Sequence, residues 1–279
     1  RRYPEAEAEF RKSIGLMYDN PTPYLNLAMM YQKKKMYKEA IAECRAALLI
    51  RPDYADAYAS LGSVYSAMGD YQAALAEYKN ALRAQPLHAA ALVSIAGVYQ
   101  EIGDYDRAEA GIREALRLKP ENPEAYAALG SLYDKMGETT KAEEEFLRAL
   151  ALRPDFAGAR MNLAALYGKT GDMSRALQEL QAAVAADPDS AEAHYRLGVL
   201  YSNEGRFPEA VGEYAAAIRS DAEHVESLSA LGALLGMAGK YEEAEKLLKR
   251  ALKIRPNYAD ARHNLEVLYR KTGKQDAGK

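Results

Sequence analysis

Apolar and small residues fall on a helical beat along this chain, and the beat itself recurs. Between Tyr58 and Pro86 (YASLGSVYSAMGDYQAALAEYKNALRAQP), Tyr58, Leu61, Gly62 and Tyr65 follow the spacing of one helix face. A second run carries Tyr71, Ala74, Tyr78 and Ala81, and Pro86 closes the stretch. The proline returns at one constant spacing, at Pro52, Pro86, Pro120, Pro154, Pro188 and Pro256, with Ala222 standing in the remaining slot. A fixed period of this size predicts a stacked array of short helical units.

Each period predicts two helices and two stops. Seven full units start at Pro21, Ala55, Ala89, Pro123, Ala157, Ala191 and Val225. A small residue follows the leucine of the first helix (Ala28, Gly62, Ala96, Gly130, Ala164, Gly198, Gly232) and lets the second helix come close. The second helix answers with an alanine (Ala40, Ala74, Ala108, Ala142, Ala176, Ala210, Ala244). Gly69, Gly103, Gly137, Gly171, Gly205 and Gly239 sit where the first helix ends, and glycine takes the left-handed conformation of such an end at little cost. The proline stops the second helix. A lone hairpin leaves its apolar stripe exposed, so neighbours must stack.

The pattern W/Y/L-x2-L-G/A-x2-Y, G-x-Y, A-x3-F/Y/L-x2-A, P resembles the tetratricopeptide repeat family over essentially the whole chain. Tyr24, Tyr58, Leu92, Tyr126, Arg160, His194 and Leu228 occupy the slot where the family often has tryptophan. The resemblance implies an all-α, right-handed superhelical solenoid of antiparallel helix pairs with a concave and a convex face. It also implies a non-catalytic scaffold that binds a peptide or protein segment in the concave groove. The expected organisation is a single solenoid: residues 1–20 a trailing half-repeat and junction, 21–258 the seven repeats, and 259–279 a capping helix and tail. Tyr3, Ala6 and Phe10 fall on second-helix slots, which places a first helix upstream, and Tyr18 replaces the usual proline. Ala259–Lys271 repeats the first-helix pattern with Glu266 at the small slot. Gln275 and Gly278 then replace the residues of a second helix, so a polar cap and a frayed end are expected.

Composition narrows the function classes. The 279 residues carry 37 basic and 40 acidic side chains, a net charge of −3, and no basic stripe interleaved with aromatics, so nucleic acid is not an expected partner. No apolar run reaches membrane-span length. The one cysteine, Cys44, stands where Tyr78 and Phe146 stand in other units and reads as a buried small hydrophobe; alone it leaves the redox compartment open. His88 and His224 fall at turns between units, His194 at a core aromatic slot and His263 on the capping helix. No HExxH, CxxC, phosphate loop or nucleophile–base pair occurs, so neither metal nor cofactor nor catalysis is expected.

Function should therefore sit on the first-helix residues that face away from the core. Sixth positions read Asn26, Ser60, Ser94, Ala128, Asn162, Arg196, Ala230 and Asn264, and ninth positions Met29, Ser63, Gly97, Ser131, Ala165, Val199, Ala233 and Val267. The peptide-binding residues expected are Asn26, Met161, Asn162, Tyr195, Arg196 and Asn264, with Asp134 and Lys169 nearby. Tyr and Arg anchor interfaces, Met adapts to varied partners, and an amide both donates to and accepts from a peptide backbone. Within the family, the clamp for acidic chaperone tails is matched only at Asn162 and Arg196, with Glu192 of the wrong sign. The asparagine ladder of the O-linked N-acetylglucosamine transferase superhelix is matched in part by Asn26, Asn162 and Asn264. Acids at second positions (Asp56, Glu124, Glu192, Glu226, Asp260) and lysines at thirteenth (Lys33, Lys135, Lys169, Lys271) suit the helix dipole, as do Lys34, Lys35 and Lys38 around the first turn. Two other roles stay open: the substrate-recruiting arm of a larger enzyme such as a glycosyltransferase, and self-association through solenoid ends with Tyr3–Ile14 as the adhesive one.

Overall fold

The turn residues explain the architecture best. In the computed structural model, which describes residues 3–16 and 19–273, the seven glycines that recur from Gly69 to Gly273 all have φ between +67° and +84°. Each ends a first helix in the left-handed conformation that lets the chain reverse. Lys35 holds the same place in the first full unit at φ +58°, the one non-glycine residue there. The expectations for Tyr18, for the side chains of Tyr3 and Ala6, and for the tail with Gln275 and Gly278 lie outside the described residues.

Among the described residues all regular structure is helical, and the chain divides after Pro154 into two compact units. The first holds α1 (Tyr3–Leu16), α2 (Thr22–Lys33), α3 (Tyr37–Ile50), α4 (Ala55–Ala67), α5 (Tyr71–Ala84), α6 (Ala89–Glu101), α7 (Tyr105–Leu118), α8 (Pro123–Lys135) and α9 (Thr139–Leu152). The second holds α10 (Ala157–Thr170), α11 (Met173–Ala186), α12 (Ala191–Asn203), α13 (Phe207–Ser220), α14 (Val225–Met237), α15 (Tyr241–Ile254) and α16 (Ala259–Thr272). Each even-numbered helix from α2 to α14 packs on the helix that follows it, as the predicted pairs require. Consecutive first helices also touch: α2 on α4, α4 on α6 and α6 on α8 in the first unit, α10 on α12 and α14 on α16 in the second.

The small slot is matched to its partner. A Cβ added to Gly62, Gly130, Gly198 or Gly232 would stand 2.7–2.8 Å from Tyr78, Phe146, Tyr214 or Leu248 respectively. Overpacking of that kind costs about 1–3 kcal/mol, more than the roughly 1 kcal/mol that alanine gains over glycine in a helix. Where the slot holds Ala28, Ala96 or Ala164, the residue at the same place on the second helix is Cys44, Ile112 or Leu180. Cys44 is fully buried beside Ala28, and burial pushes its thiol up to about 12, which makes it the inert packing group expected.

Two further side-chain devices tie several units to the one before. Fourth-position side chains donate to the carbonyl of the repeat proline: Tyr58 to Pro52 at 3.1 Å, His194 to Pro188 at 3.0 Å, Arg262 to Pro256 at 2.9 Å. Tyr, His and Arg therefore interchange at these three positions because each can reach the same carbonyl, while Leu92 and Leu228 fill the slot without a donor. His194 is accordingly a half-buried hydrogen-bonding group, also 2.6 Å from Glu213, and not a core aromatic. Eleventh-position tyrosines reach back to the preceding second helix: Tyr31 to Glu7, Tyr133 to Glu109 and Tyr269 to Glu245, at 2.7, 2.6 and 3.1 Å. Arg175 and Arg206 cover the rings of Tyr167 and Tyr201 at 4.2 and 4.3 Å.

Candidate functional site

Four of the expected site residues stand on α10 and α12, two first helices that touch. Leu163 and Leu197 are buried, so the residues just before them, Met161–Asn162 and Tyr195–Arg196, are half-buried at equivalent places on two touching helices. Tyr195 is braced. Its ring lies 6.0 Å from that of Tyr214 on α13 and 5.4 Å from that of His224, at the start of α14. Among the described residues its hydroxyl has no hydrogen-bond partner, and burial pushes its pKa up. Arg196 donates to Glu192, one turn earlier, at 2.6 Å. Glu192 sits 3.7 Å from His224, and His224 together with Arg196 holds its carboxyl down at about 2 against the cost of burial.

His224 has a second task that its sequence position did not suggest. Its Nδ1 accepts from the Ser227 amide at 3.2 Å, capping α14. His88 does the same for α6, accepting from Ala91 at 3.0 Å while its Nε2–H donates to Asp56. Asn122 and Ser190 hold the same slot and cap α8 and α12. That recurrence of capping residues one place before four of the units was the readable signal; Tyr54, Phe156 and Tyr258 hold the slot elsewhere without a side-chain cap.

The acidic second positions also do more than favour a helix dipole. Glu124 pairs with Arg153 at 2.7 Å and Glu226 with Arg255 at 2.8 Å, each joining the first helix of a repeat to the residue that ends the second helix of the same repeat. Among the thirteenth positions, Lys135 of α8 bridges to Glu101 of α6 at 2.7 Å. Only the last of these three pairs links neighbouring repeats; the other two close a repeat on itself.

The other expected site residues, Asn26, Asp134 and Asn264, lie on α2, α8 and α16. Asn26 is exposed on α2, and Asp134 lies on α8; both belong to the first unit. Asn264 on α16 donates to Ser229 of α14 at 3.3 Å. It lines a cleft of about 200 Å³ between those helices, with Gly236, Val267, Leu268 and Lys271 among its neighbours. No group of three or more His, Cys, Asp or Glu among the described residues could hold a metal ion. No described helix is long and apolar enough to cross a membrane.

Comparison with known proteins follows the same architecture. The chain, 96% covered, matches the Cut9–Hcn1 structure of the APC/C at a TM-score of 0.66 and 17% identity, and spans 53% of that chain. It matches Pseudomonas aeruginosa pilF at 0.59 and 19% identity, over 75% of this chain and 95% of that one. An IFIT1 monomeric mutant with Gppp-AAAA matches at 0.63 and 19%, over 90% and 67% of the two chains. At these identities the likeness shows the fold alone. No curated protein matches the sequence. Tetratricopeptide repeat profiles match residues 19–87, then 60–123, 95–155 and 127–191, then 169–235, and a TPR repeat profile matches 237–273. With these matches tiling almost every period and sixteen helices among the described residues in the phase they require, the chain belongs to the tetratricopeptide repeat family.

Proposed function

We propose that this protein is a non-catalytic scaffold that holds a partner peptide or protein segment against its first-helix face, with Met161, Asn162, Tyr195 and Arg196 as the principal contacts. The family supports an interaction scaffold in general. The observation that carries the specific reading is Tyr195: a half-buried ring braced by Tyr214 and His224, whose hydroxyl has no hydrogen-bond partner among the described residues, followed in the helix by Arg196. A rigid aromatic with a free polar tip loses little entropy on binding, and a neighbouring arginine adds a directional charge.

The bracing also dictates the test. Tyr195→Ala would remove packing and lower the melting temperature, so loss of binding in that variant would be ambiguous. Arg196→Glu replaces a partly exposed ion pair with two carboxylates one turn apart, so helicity should be retained and melting should fall only slightly, by the small amount such a pair is worth. A random peptide library is selected against the protein, and the affinity of the selected peptides for Arg196→Glu is measured. At least about a tenfold loss is expected for an interface anchor. Equal binding to both forms, or amide protection by the peptides confined to second helices, would move the site away from this face.

A further inference from the structure

The cleft between α14 and α16 exists because a side chain is missing. At the twelfth position of its unit, α2 carries Gln32, whose amide donates to the Ser63 hydroxyl and carbonyl of α4 at 2.8 and 3.1 Å. That bridge closes the space between two consecutive first helices. Gly236 holds the equivalent place on α14, where a Cβ would already stand 3.3 Å from Leu268. The result is a hollow of about 200 Å³, floored by Leu248 and Leu268, which are 1% and 4% exposed. This is smaller than the roughly 300–1,000 Å³ of small-molecule sites, yet larger than the about 150 Å³ that accepts a benzene ring. It matches one large apolar side chain.

The rim has a sign. Lys271 and His263 stand on it, and no carboxylate lines the cleft. The nearest acid along α16, Glu266, faces Arg270 at 3.5 Å, and among the described residues Lys271 has no ion-pair partner. Met237 at the mouth is 64% exposed, an adaptable apolar lip for an entering group.

We infer that this cleft is an anchor pocket for one leucine- to phenylalanine-sized side chain of an acidic peptide segment, with a carboxylate beside that side chain paired to Lys271. The inference rests on the scaffold reading above but places a second contact at a different pair of helices. A segment of the opposite charge would meet an uncompensated ammonium at the rim, so the pocket selects on size and sign together.

The test uses the whole chain, labelled for amide NMR, and three capped synthetic peptides containing Phe-Glu, Phe-Lys or Ala-Glu. The Phe-Glu peptide should shift the Gly232, Gly236 and Val267 amides. The Phe-Lys and Ala-Glu peptides should bind these positions several-fold more weakly. Ala233→Leu, which fills the cleft from its wall, should remove the shifts with helicity and melting retained. Lys271→Glu should weaken Phe-Glu binding roughly fivefold, the scale of one exposed ion pair. Undiminished shifts in the Ala233→Leu protein, or equal binding of Phe-Glu and Phe-Lys, would overturn the inference. So would shifts produced by toluene alone and by none of the peptides. Shifts confined to Tyr195 and Arg196 would sink this pocket and leave the scaffold reading standing. Shifts at neither place, together with failure of the peptide selection, would sink both.

Discussion

At the residue scale, single slots obey simple steric and donor rules. Lys35 occupies a turn position that glycine fills in seven other places. A left-handed conformation costs a residue with a Cβ about 1–2 kcal/mol, against about 0.5–1 kcal/mol of extra entropy loss for glycine. Lys35→Gly should therefore raise stability by about 0.5–1 kcal/mol, seen as a higher urea midpoint at unchanged slope. A lower midpoint would mean that the lysine side chain makes a contact outweighing its backbone cost. The glycine slots were legible from spacing alone. The fourth-position donors were not, because Tyr58, His194 and Arg262 share a hydrogen-bond target and not a hydropathy.

At the element scale, several of the pairs that join helices have a separation that is not the period. Glu192 of α12 reaches forward to His224, the cap of α14, and Arg196 holds it from its own helix. The folded carboxyl sits at about 2 against an ordinary 4.5, so its contribution to stability is complete above 4.5 and lost as pH falls toward 2. The stability gap between the protein and Glu192→Gln should be constant from pH 7 to 5 and close between pH 4.5 and 2. Urea midpoints across that range check it; a gap that is flat with pH would mean that the pair contributes nothing. Burial raises Glu43 and Glu145 in the opposite sense, so their ionisation opposes folding as pH rises through the carboxylate range. Periodicity placed every helix but could not show which acids pair. Tyr133 with Glu109, Arg153 with Glu124 and His224 with Glu192 are each separated by less than one period, so none of these pairs falls on the register of the repeat.

At the scale of the molecule, the period implies modularity. Excising residues 89–122 removes one period and rejoins turn to turn in phase within the first unit. Stability in such arrays is close to a sum of unit and nearest-neighbour terms. The shortened chain should thus keep its helical signal per residue and unfold at a somewhat lower midpoint. Collapse of the helical signal would show that the repeats depend on more than their neighbours.

The amino-acid sequence by itself determined the number of repeats, the ends of nearly every helix, the turn glycines, the buried Cys44 and the family. Each of these follows from local periodicity, and locality is what a one-dimensional pattern encodes. Tertiary structure alone decided that Tyr195 is braced rather than free, and that Glu124 and Glu226 pair with the arginine that ends the second helix of their own repeat. It also decided that Gly236, unremarkable in the pattern, opens a cleft beside Asn264. Those outcomes depend on which side chains from different helices arrive within a few ångströms of one another, and only the packed helices set that distance.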